Sequence, residues 1–126
     1  MSKSIIKSDN APAPIGPYSQ AVFSMNTLFV SGQIAIDPAT GAMVQKDVAA
    51  ETHQVMKNLQ AILEKAQMTF FNVVKCTIFL RSMDDFKEVN EVYGQYFKAD
   101  PPARETVEVS RLPKDANVEI SCIAVL

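Results

Sequence analysis

Apolar residues recur at steps of three and four positions between residues 48 and 66, which is the spacing of one face of an α-helix. The members of this stripe are Val48, Thr52, Val55, Met56, Leu59, Ile62, Leu63 and Ala66. Asp47 precedes the stripe, and a carboxylate at that position can accept a hydrogen bond from the free amides of a first helical turn. The pattern therefore predicts an amphipathic helix over residues 48–66 with Asp47 as its N-cap.

A second, shorter helix is predicted from about Met83, with Ser82 as its N-cap and Asp85 three residues later. Its predicted buried stripe consists of Phe86, Val89, Tyr93, Tyr96 and Phe97. Asn90 falls on the same stripe. A buried amide must find hydrogen-bond partners, so Asn90 is predicted either to brace a neighbouring loop or to line a pocket.

The remaining ordered segments have the alternation or the β-branched content of strands, and they cover residues 4–7, 20–25, 28–31, 73–80, 104–110 and 118–126. The element order is then β-ββ-α-β-α-ββ. This order predicts a single α+β domain over residues 1–126, with a mixed sheet and both helices packed on one sheet face.

The strands near the end of the chain carry apolar residues on both of their faces, namely Val107, Val109, Ile123 and Val125. A single layer of two helices covers only one face of a sheet. The other face needs a partner, so the pattern predicts a homo-oligomer.

Composition narrows the class of protein. The chain has 126 residues, and 48% of them are hydrophobic. Its formal net charge is -2. This charge argues against nucleic acid as a partner, because phosphate binding needs a basic surface. No apolar run approaches the roughly 20 residues of a membrane-spanning helix, and no secretory signal precedes the first strand. Cys76 and Cys122 lie in apolar runs, where free thiols behave as small hydrophobes. We therefore expect a cytoplasmic protein without disulfides or membrane contact.

Two charged residues could bind and transform a small carboxylic acid. Arg104 begins one predicted strand, alternates with Thr106, Glu108 and Ser110 on a polar strand face, and follows Pro101-Pro102, which stiffens its approach. Glu119 begins the next strand and points away from the main apolar face. If these strands are adjacent, the guanidinium could clamp a carboxylate while the glutamate steers a water molecule. The residues alone leave ordinary alternatives open: a surface ion pair for Arg104 and a solvated strand end for Glu119.

Other residue types limit the chemistry. Tyr18 follows Gly16-Pro17 in a rigid loop, as a loop anchor or as an aromatic wall, and Gly32 after Ser31 indicates a close backbone approach. His53 is the only histidine and falls on the polar side of the first predicted helix, where solvent surrounds it. No Cys/His cluster has metal-ligand spacing, and no phosphate-binding loop is present. We therefore expect no metal, no cofactor and no covalent nucleophile.

The combination of short motifs resembles the Rid/YjgF family of enamine/imine deaminases over essentially the whole chain. The matching segments are Gly16-Pro-Tyr-Ser-Gln20, Ser31-Gly-Gln33, Asp85-Phe-Lys-Glu-Val-Asn90, Pro102-Ala-Arg104 and Glu108-Val-Ser-Arg-Leu-Pro113. The resemblance implies a homotrimer of a chorismate-mutase-like fold with clefts between subunits. It also implies hydrolysis of 2-imino acids, such as 2-aminoacrylate (2-iminopropanoate) and 2-iminobutanoate, to 2-keto acids and ammonia, which removes reactive metabolites.

The resemblance also implies roles for individual residues. Arg104 would bind the substrate carboxylate, Glu119 would position the attacking water, and Tyr18 would form a wall near the imine. The floor of the pocket would come from Ser31, Gly32 and Asn90. Several active relatives have cysteine where this chain has Thr106, so the role left for Thr106 is that of its backbone carbonyl as a hydrogen-bond acceptor.

Known members of this family lead to two further expectations, one about a helix end and one about alternative activities. Relatives usually have glycine where this chain has Gln67, so either a left-handed helix end there costs up to about 1 kcal/mol or the helix end takes another form. Ribonuclease activity has been attributed to members of the family, and the alternatives to a deaminase are a single-stranded-RNA endoribonuclease and a noncatalytic module that binds small carboxylates or a partner protein. The single histidine and the slightly acidic balance argue against the ribonuclease.

Overall fold

A computed structural model describes residues 2–126 of the chain. The strands are β1 (Ser4–Ile6), β2 (Ala21–Ser24), β3 (Thr27–Gln33), β4 (Val73–Leu80), β5 (Ala103–Glu108) and β6 (Val118–Val125), and the helices are α1 (Val48–Lys65) and α2 (Phe86–Gly94). Short 3₁₀ turns cover Phe70–Asn72, Met83–Asp85 and Pro113–Asp115. The predicted order β-ββ-α-β-α-ββ and the α+β class are confirmed.

All six strands form one mixed sheet in the order β1-β2-β3-β6-β4-β5. Every neighbouring pair is antiparallel except β4 and β5, which run parallel. The expectation that the strands of Arg104 and Glu119 are adjacent is wrong, because β4 lies between β5 and β6. The long connection through Pro113–Asp115 lets the chain pass β4 and return on its other side.

Both helices pack on one face of this sheet, as predicted. Fully buried side chains of α1, including Val55, Met56, Leu59, Ile62 and Leu63, meet the alternate buried positions of the central strands. On β4 these positions are Cys76, Ile78 and Leu80, and on β6 they are Val118, Ile120, Cys122 and Ala124. The period of two in the strands and the period near 3.6 in the helix direct these residues into one core.

No helix among residues 2–126 covers the opposite sheet face. Phe29 is 50% exposed and Val107 is 41% exposed, and Phe79 and Ile123 on the same face are only half-buried. We call this surface the open face. Its apolar content agrees with the expectation that another subunit packs there.

The ends of α1 follow the sequence signals. The Asp47 carboxylate accepts a 2.7 Å hydrogen bond from the Ala50 amide, so the predicted N-cap is confirmed. At the other end Gln67 has φ of +61°, while the Met68 and Gln67 amides donate to the Leu63 and Glu64 carbonyls. These are the two bonds of a Schellman motif. The left-handed helix end is therefore present although its residue is not glycine.

The second helix differs from its predicted stripe. Ser82 caps the 3₁₀ turn at Met83–Asp85, and the α-helix itself runs only to Gly94. Its buried residues are Val89, Val92 and Tyr93, and Asn90 is exposed. The placement of Asn90 on a buried stripe is wrong because it relied on Phe86, which is itself 36% exposed, whereas Val89, Val92 and Tyr93 form the buried side of α2.

No helix within residues 2–126 is both long and apolar enough to cross a membrane.

Glycine in place of Gln67 should stabilise the fold, because glycine adopts the left-handed conformation without a steric penalty. For Gln67→Gly we expect the free energy of unfolding, measured in urea, to rise by up to about 1 kcal/mol. The matched control is Gln60→Gly, which changes an exposed glutamine inside α1 and should lower it by about 1 kcal/mol. A loss of stability in both variants would contradict the conformational argument.

Candidate active site

Two pockets are lined by the residues singled out in the sequence, except Thr106. The first, the Glu119 pocket, encloses about 350 Å³ between the end of β3, the start of β6 and the loop that carries Tyr18. Ser31 and Gly32 also line it. The second, the Arg104 pocket, lies beside α2 and is lined by Asn90, Tyr93, Gly94, Phe97, Pro101, Pro102 and Arg104.

The Glu119 side chain extends from the face of β6 that is turned away from the helices. Its neighbours Val118 and Ile120 are fully buried in the core, and alternation therefore directs Glu119 to the open face, opposite Phe79. The carboxyl is half-buried, and burial raises its pKa above the ordinary value for glutamate. No hydrogen bond or cation within residues 2–126 offsets that burial. An unpartnered, partly desolvated carboxylate in a pocket is typical of functional sites.

Gly32 makes room for this carboxylate. A Cβ atom on residue 32 would lie 2.6 Å from Glu119 Oε2 and 2.8 Å from the carboxyl carbon. The glutamate can lie across the strand only because residue 32 has no side chain. The predicted close approach at Gly32 is confirmed, and the approaching group is Glu119.

Buried Gln20 holds the loop that forms the outer wall. Its side-chain oxygen accepts from the Ser8 amide at 2.6 Å, and its Nε2 donates to the Ala11 and Pro12 carbonyls at 3.3 and 2.8 Å. The Ser31 hydroxyl donates to the Ser19 carbonyl at 2.6 Å, which ties the same loop to β3. Tyr18 projects from this loop and is about half exposed.

The inner wall is held from α1. Asn58 is fully buried, and its Nδ2 donates to the Ile34 and Ile36 carbonyls at 3.1 and 2.9 Å. Glu51 is also fully buried, and its carboxylate accepts from the backbone and side-chain amides of Asn117 at 2.7 and 2.8 Å. Asn117 lies two residues before Glu119, so this contact fixes the start of β6.

Sequence reasoning missed these supporting residues. Asn58 lies three residues after Val55 and four before Ile62 on the predicted buried stripe of α1. A polar residue on an apolar stripe was the signal that could have identified it. Glu51 carries the same signal, because it lies three residues after Val48 and four before Val55.

The Arg104 guanidinium is held by neutral groups. Its Nη1 donates to Asn90 Oδ1 at 2.7 Å, and its central carbon lies 5.1 Å from the Tyr93 ring centre and 5.7 Å from that of Phe86. Within residues 2–126 the one ion pair joins Lys75 and Glu105. The guanidinium therefore has no carboxylate partner, and the surface ion pair considered from sequence is absent from this part of the chain.

The prediction that Arg104 lies on a polar strand face separate from the core face is wrong. Its side chain is on the strand face that is turned toward the helices and the core. Arg104 and Thr106 pair with Cys76 and Ile78 of β4, whose side chains are buried under the helices. These positions of β5 are polar because β5 is the edge strand, where the helix layer ends.

Thr106 carries two free acceptors. Its hydroxyl is buried without a hydrogen-bond partner, like that of Tyr93. The Val109 amide donates to the Leu80 carbonyl of β4 at 2.8 Å. Because backbone groups alternate in direction along a strand, those of Thr106 point away from β4 at the sheet edge. Its carbonyl is thus open to a ligand.

The remaining candidates lie outside both pockets. Cys76 and Cys122 are free, and burial raises the pKa of each thiol; the positive charge of Arg104 partly opposes the rise at Cys76. The prediction that solvent surrounds His53 is wrong. The side chain is half-buried, and its Nδ1 lies 2.8 Å from the Tyr96 hydroxyl. None of these groups lines the two pockets.

One chain does not bring the two pockets together. Arg104 pairs with buried Cys76, so its side chain is on the helix-covered face, whereas Glu119 pairs with Phe79 and is on the open face. Of the predicted residues, Glu119, Tyr18, Ser31 and Gly32 form one group, and Arg104 and Asn90 form the other, with Thr106 following Arg104 along β5.

Known proteins match the chain over nearly its full length. The Endoribonuclease L-PSP family model matches residues 8–126. A RutC family protein of Pyrococcus horikoshii is 52% identical over 122 residues, which is 97% of each chain. The human 2-iminobutanoate/2-iminopropanoate deaminase is 46% identical over 121 residues, covering 96% of this chain and 88% of the human protein.

Solved structures agree with this assignment. The crystal structure of E. coli TdcF with bound serine superimposes with a TM-score of 0.94 at 40% identity and covers 98% of each chain. The chain therefore belongs to the Endoribonuclease L-PSP family, which is the Rid/YjgF family indicated by its motifs, and has the α+β fold of that family.

Proposed function

We propose that this protein is an enamine/imine deaminase that hydrolyses reactive 2-imino acids to 2-keto acids and ammonia. The human relative is named for this activity, and TdcF, a similar fold, was crystallised with serine, a small amino acid. The single observation that supports the proposal most is the unpartnered, half-buried carboxylate of Glu119. Such a group can accept a proton from water near neutral pH.

The complete site is proposed to form between subunits of a homotrimer. Within residues 2–126 the arginine on one sheet face has no carboxylate partner and the Glu119 carboxylate on the other has no cation. A contact that joins two different surfaces of identical chains is heterologous, and such contacts form a ring where the rotation closes and an open filament where it does not. The open face supplies apolar surface for that contact, and the family resemblance favours a ring of three.

In the proposed reaction the substrate carboxylate binds the Arg104 guanidinium of one subunit through paired, charge-assisted hydrogen bonds. Asn90 and the rings of Tyr93 and Phe86 hold the guanidinium in position before the substrate arrives. The open carbonyl of Thr106 accepts a hydrogen bond from the imine N–H. The imine carbon then faces Glu119 and Tyr18 of the neighbouring subunit.

Glu119 takes one proton from a water molecule as the water oxygen bonds to the imine carbon. The resulting tetrahedral adduct carries a hydroxyl and an amine on the same carbon. Glu119 returns that first proton to the nitrogen as this neutral adduct forms, and then takes the hydroxyl proton and passes it to the amine. The C–N bond breaks with its electron pair, ammonia leaves, and the hydroxyl oxygen becomes the carbonyl oxygen of the 2-keto acid. Imines already hydrolyse in water, so orientation and one proton shuttle are sufficient for acceleration.

Arg104→Ala should lower kcat/KM for 2-iminobutanoate by at least about 100-fold, because a charge-assisted bidentate contact is lost. Arg104→Lys should recover only part of the rate, since an ammonium cannot reproduce the planar fork. The measurement is release of ammonia or decay of the freshly generated imine, with the exposed Arg111→Ala as the control.

Three results would contradict parts of this proposal. Equal rates for wild type and Arg104→Ala would show that Arg104 does not bind the substrate carboxylate. Binding of a 2-keto acid without faster imine hydrolysis would identify a noncatalytic binding module. Cleavage of single-stranded RNA by highly purified protein, unaffected by Arg104→Ala, would give the ribonuclease priority.

Glu119→Gln should lower activity by about 10²–10⁴-fold while raising stability. The raised pKa means that the folded protein disfavours the charged carboxylate, which lowers the free energy of unfolding. This loss of stability is absent at pH values well below the ordinary pKa of about 4.3, grows as the pH rises above it, and is complete above the pKa of the folded state. The gain in unfolding free energy should therefore be present at neutral pH and vanish in acid. The acid limb of wild-type kcat/KM should likewise titrate above 4.3.

The control for Glu119→Gln is Glu91→Gln, which neutralises an exposed carboxylate of α2 outside both pockets. The proposed role of Glu119 as a base would be contradicted if Glu119→Gln were as active as wild type. It would also be contradicted if the stability of Glu119→Gln relative to wild type were lower at neutral pH than in acid.

The protein should have a mass in solution of three times the 13.9 kDa of one chain. Val107→Glu places a charge on the open face and should shift the mass toward one chain and abolish activity together. Met25→Glu is the control, because Met25 is exposed in the β2–β3 turn at the sheet end. Wild-type protein that is monomeric and fully active would exclude a site shared between subunits.

A further inference from the structure

The two cysteines of the chain face each other across neighbouring strands. Cys76 is on β4 and Cys122 is on β6, and their Cα atoms are direct partners in the antiparallel register. Both side chains lie on the helix-covered face, where they are 1% and 4% exposed, and both thiols are free. Neither cysteine lines the Glu119 pocket or the Arg104 pocket, so the proposed reaction uses neither thiol.

The hydrogen bonds between β4 and β6 show which kind of cross-strand pair the cysteines form. The Arg81 amide donates to the Asn117 carbonyl at 3.0 Å, and these two residues continue the register of the strands. They are therefore a hydrogen-bonded pair. Such pairs alternate with non-hydrogen-bonded pairs along an antiparallel ladder. Because Cys76 lies five positions before Arg81 and Cys122 five positions after Asn117, the cysteines form a non-hydrogen-bonded pair.

This type of pair has the backbone geometry that a disulfide needs. In a non-hydrogen-bonded pair the Cα atoms are about 4.5 Å apart, and the side chains come closer together than in a hydrogen-bonded pair. Disulfides join residues whose Cα atoms are about 4.4–6.8 Å apart. Cys76 and Cys122 are also on the same strand face, so β4 and β6 are already placed for a bond between the two sulfur atoms.

Arg104 makes the two thiols different. It is the Cα partner of Cys76 on the other side of β4, it is only half-buried, and it lines the Arg104 pocket. Burial raises the pKa of both thiols, and the positive charge of Arg104 partly opposes the rise at Cys76. Since the thiolate is the nucleophilic form of cysteine, Cys76 is the thiol expected to react first.

We propose that Cys76 and Cys122 are a reversible oxidation site, at which hydrogen peroxide forms a disulfide that joins β4 to β6. The sulfur of the Cys76 thiolate bonds to one peroxide oxygen, the O–O bond breaks, and a sulfenic acid forms. The other oxygen leaves as hydroxide, which takes up the proton lost from Cys76 and becomes water.

The second step closes the disulfide. The Cys122 sulfur bonds to the Cys76 sulfur, and the S–O bond breaks. The sulfenic oxygen takes up the Cys122 proton and leaves as a second water molecule. The two thiols have then lost two electrons and two hydrogen atoms, and the peroxide has been reduced to two water molecules. This inference is independent of the proposed deaminase function.

The test treats native wild-type protein with hydrogen peroxide, blocks the remaining thiols with iodoacetamide in denaturant and maps the tryptic peptides by mass spectrometry. Trypsin cleaves after Lys75, Arg81 and Lys114. The disulfide would therefore join the peptide of residues 76–81 to that of residues 115–126. We expect most of the protein to yield this joined peptide, and dithiothreitol to return both thiols. Two alkylated cysteines after peroxide, or sulfinic acids in place of the bridge, would overturn the proposal.

Single-cysteine variants test the order of the two steps. Cys122→Ala leaves Cys76 as the only thiol, and Cys76→Ala leaves only Cys122. Dimedone, which traps sulfenic acids, should label Cys76 in the first variant severalfold faster than Cys122 in the second. Equal labelling, or faster labelling of Cys122, would contradict the role of Arg104 at Cys76. The peptide map of wild-type protein decides the disulfide itself even if either variant folds poorly.

The disulfide should also stabilise the native fold. It would close the chain between residues 76 and 122 and so reduce the conformational freedom of the unfolded protein. We expect the midpoint temperature of unfolding to rise by about 10 °C in the oxidised protein and to fall back after dithiothreitol. Calorimetry should compare both forms at one protein concentration. A lower midpoint in the oxidised protein would show that the bond strains the two strands, which would contradict the argument from their register.

Discussion

The parallel pairing of β5 with β4 is the constraint on which the rest of the arrangement depends. It places the arginine strand at the sheet edge, outside β4, and orients Arg104 with the helix-covered face. Glu119, on the antiparallel neighbour β6, is directed to the opposite face. The fold thus separates the Arg104 guanidinium from the Glu119 carboxyl by a strand and a sheet face. The proposed site uses both groups, which is why it is proposed to be shared between chains.

The two charged groups are kept apart from compensating charges in different ways. Arg104 is satisfied by an amide oxygen and by aromatic faces, which hold its position without neutralising it. Glu119 has no hydrogen-bond or charged partner among residues 2–126, and the fold tolerates the desolvation because the carboxyl is only half-buried. Both groups therefore remain available to a ligand, as the proposed function requires.

Buried polar residues provide the rigidity that such a site requires. Gln20, Asn58 and Glu51 are each buried and fully engaged, and each fixes a segment that lines the Glu119 pocket or leads into it. Buried hydrogen bonds are costly to break because the partner groups would be left unsatisfied. The pocket is thus defined by the backbone, and Gly32 sets how closely Glu119 can approach it.

The sequence by itself determined the elements, the family and the individual chemical groups. Helical periodicity located α1 and residue type located its cap at Asp47, because these signals are local in the chain, while the glycine usual in relatives indicated the helix end at Gln67. Periodicity failed at Asn90, since Phe86, which placed it on the stripe, is itself exposed. Only the tertiary structure decided that Arg104 and Glu119 occupy opposite faces, and that Glu119 lies against Gly32. Strand order and the pairing of distant segments depend on contacts between residues far apart in sequence, which alternation along one strand does not encode.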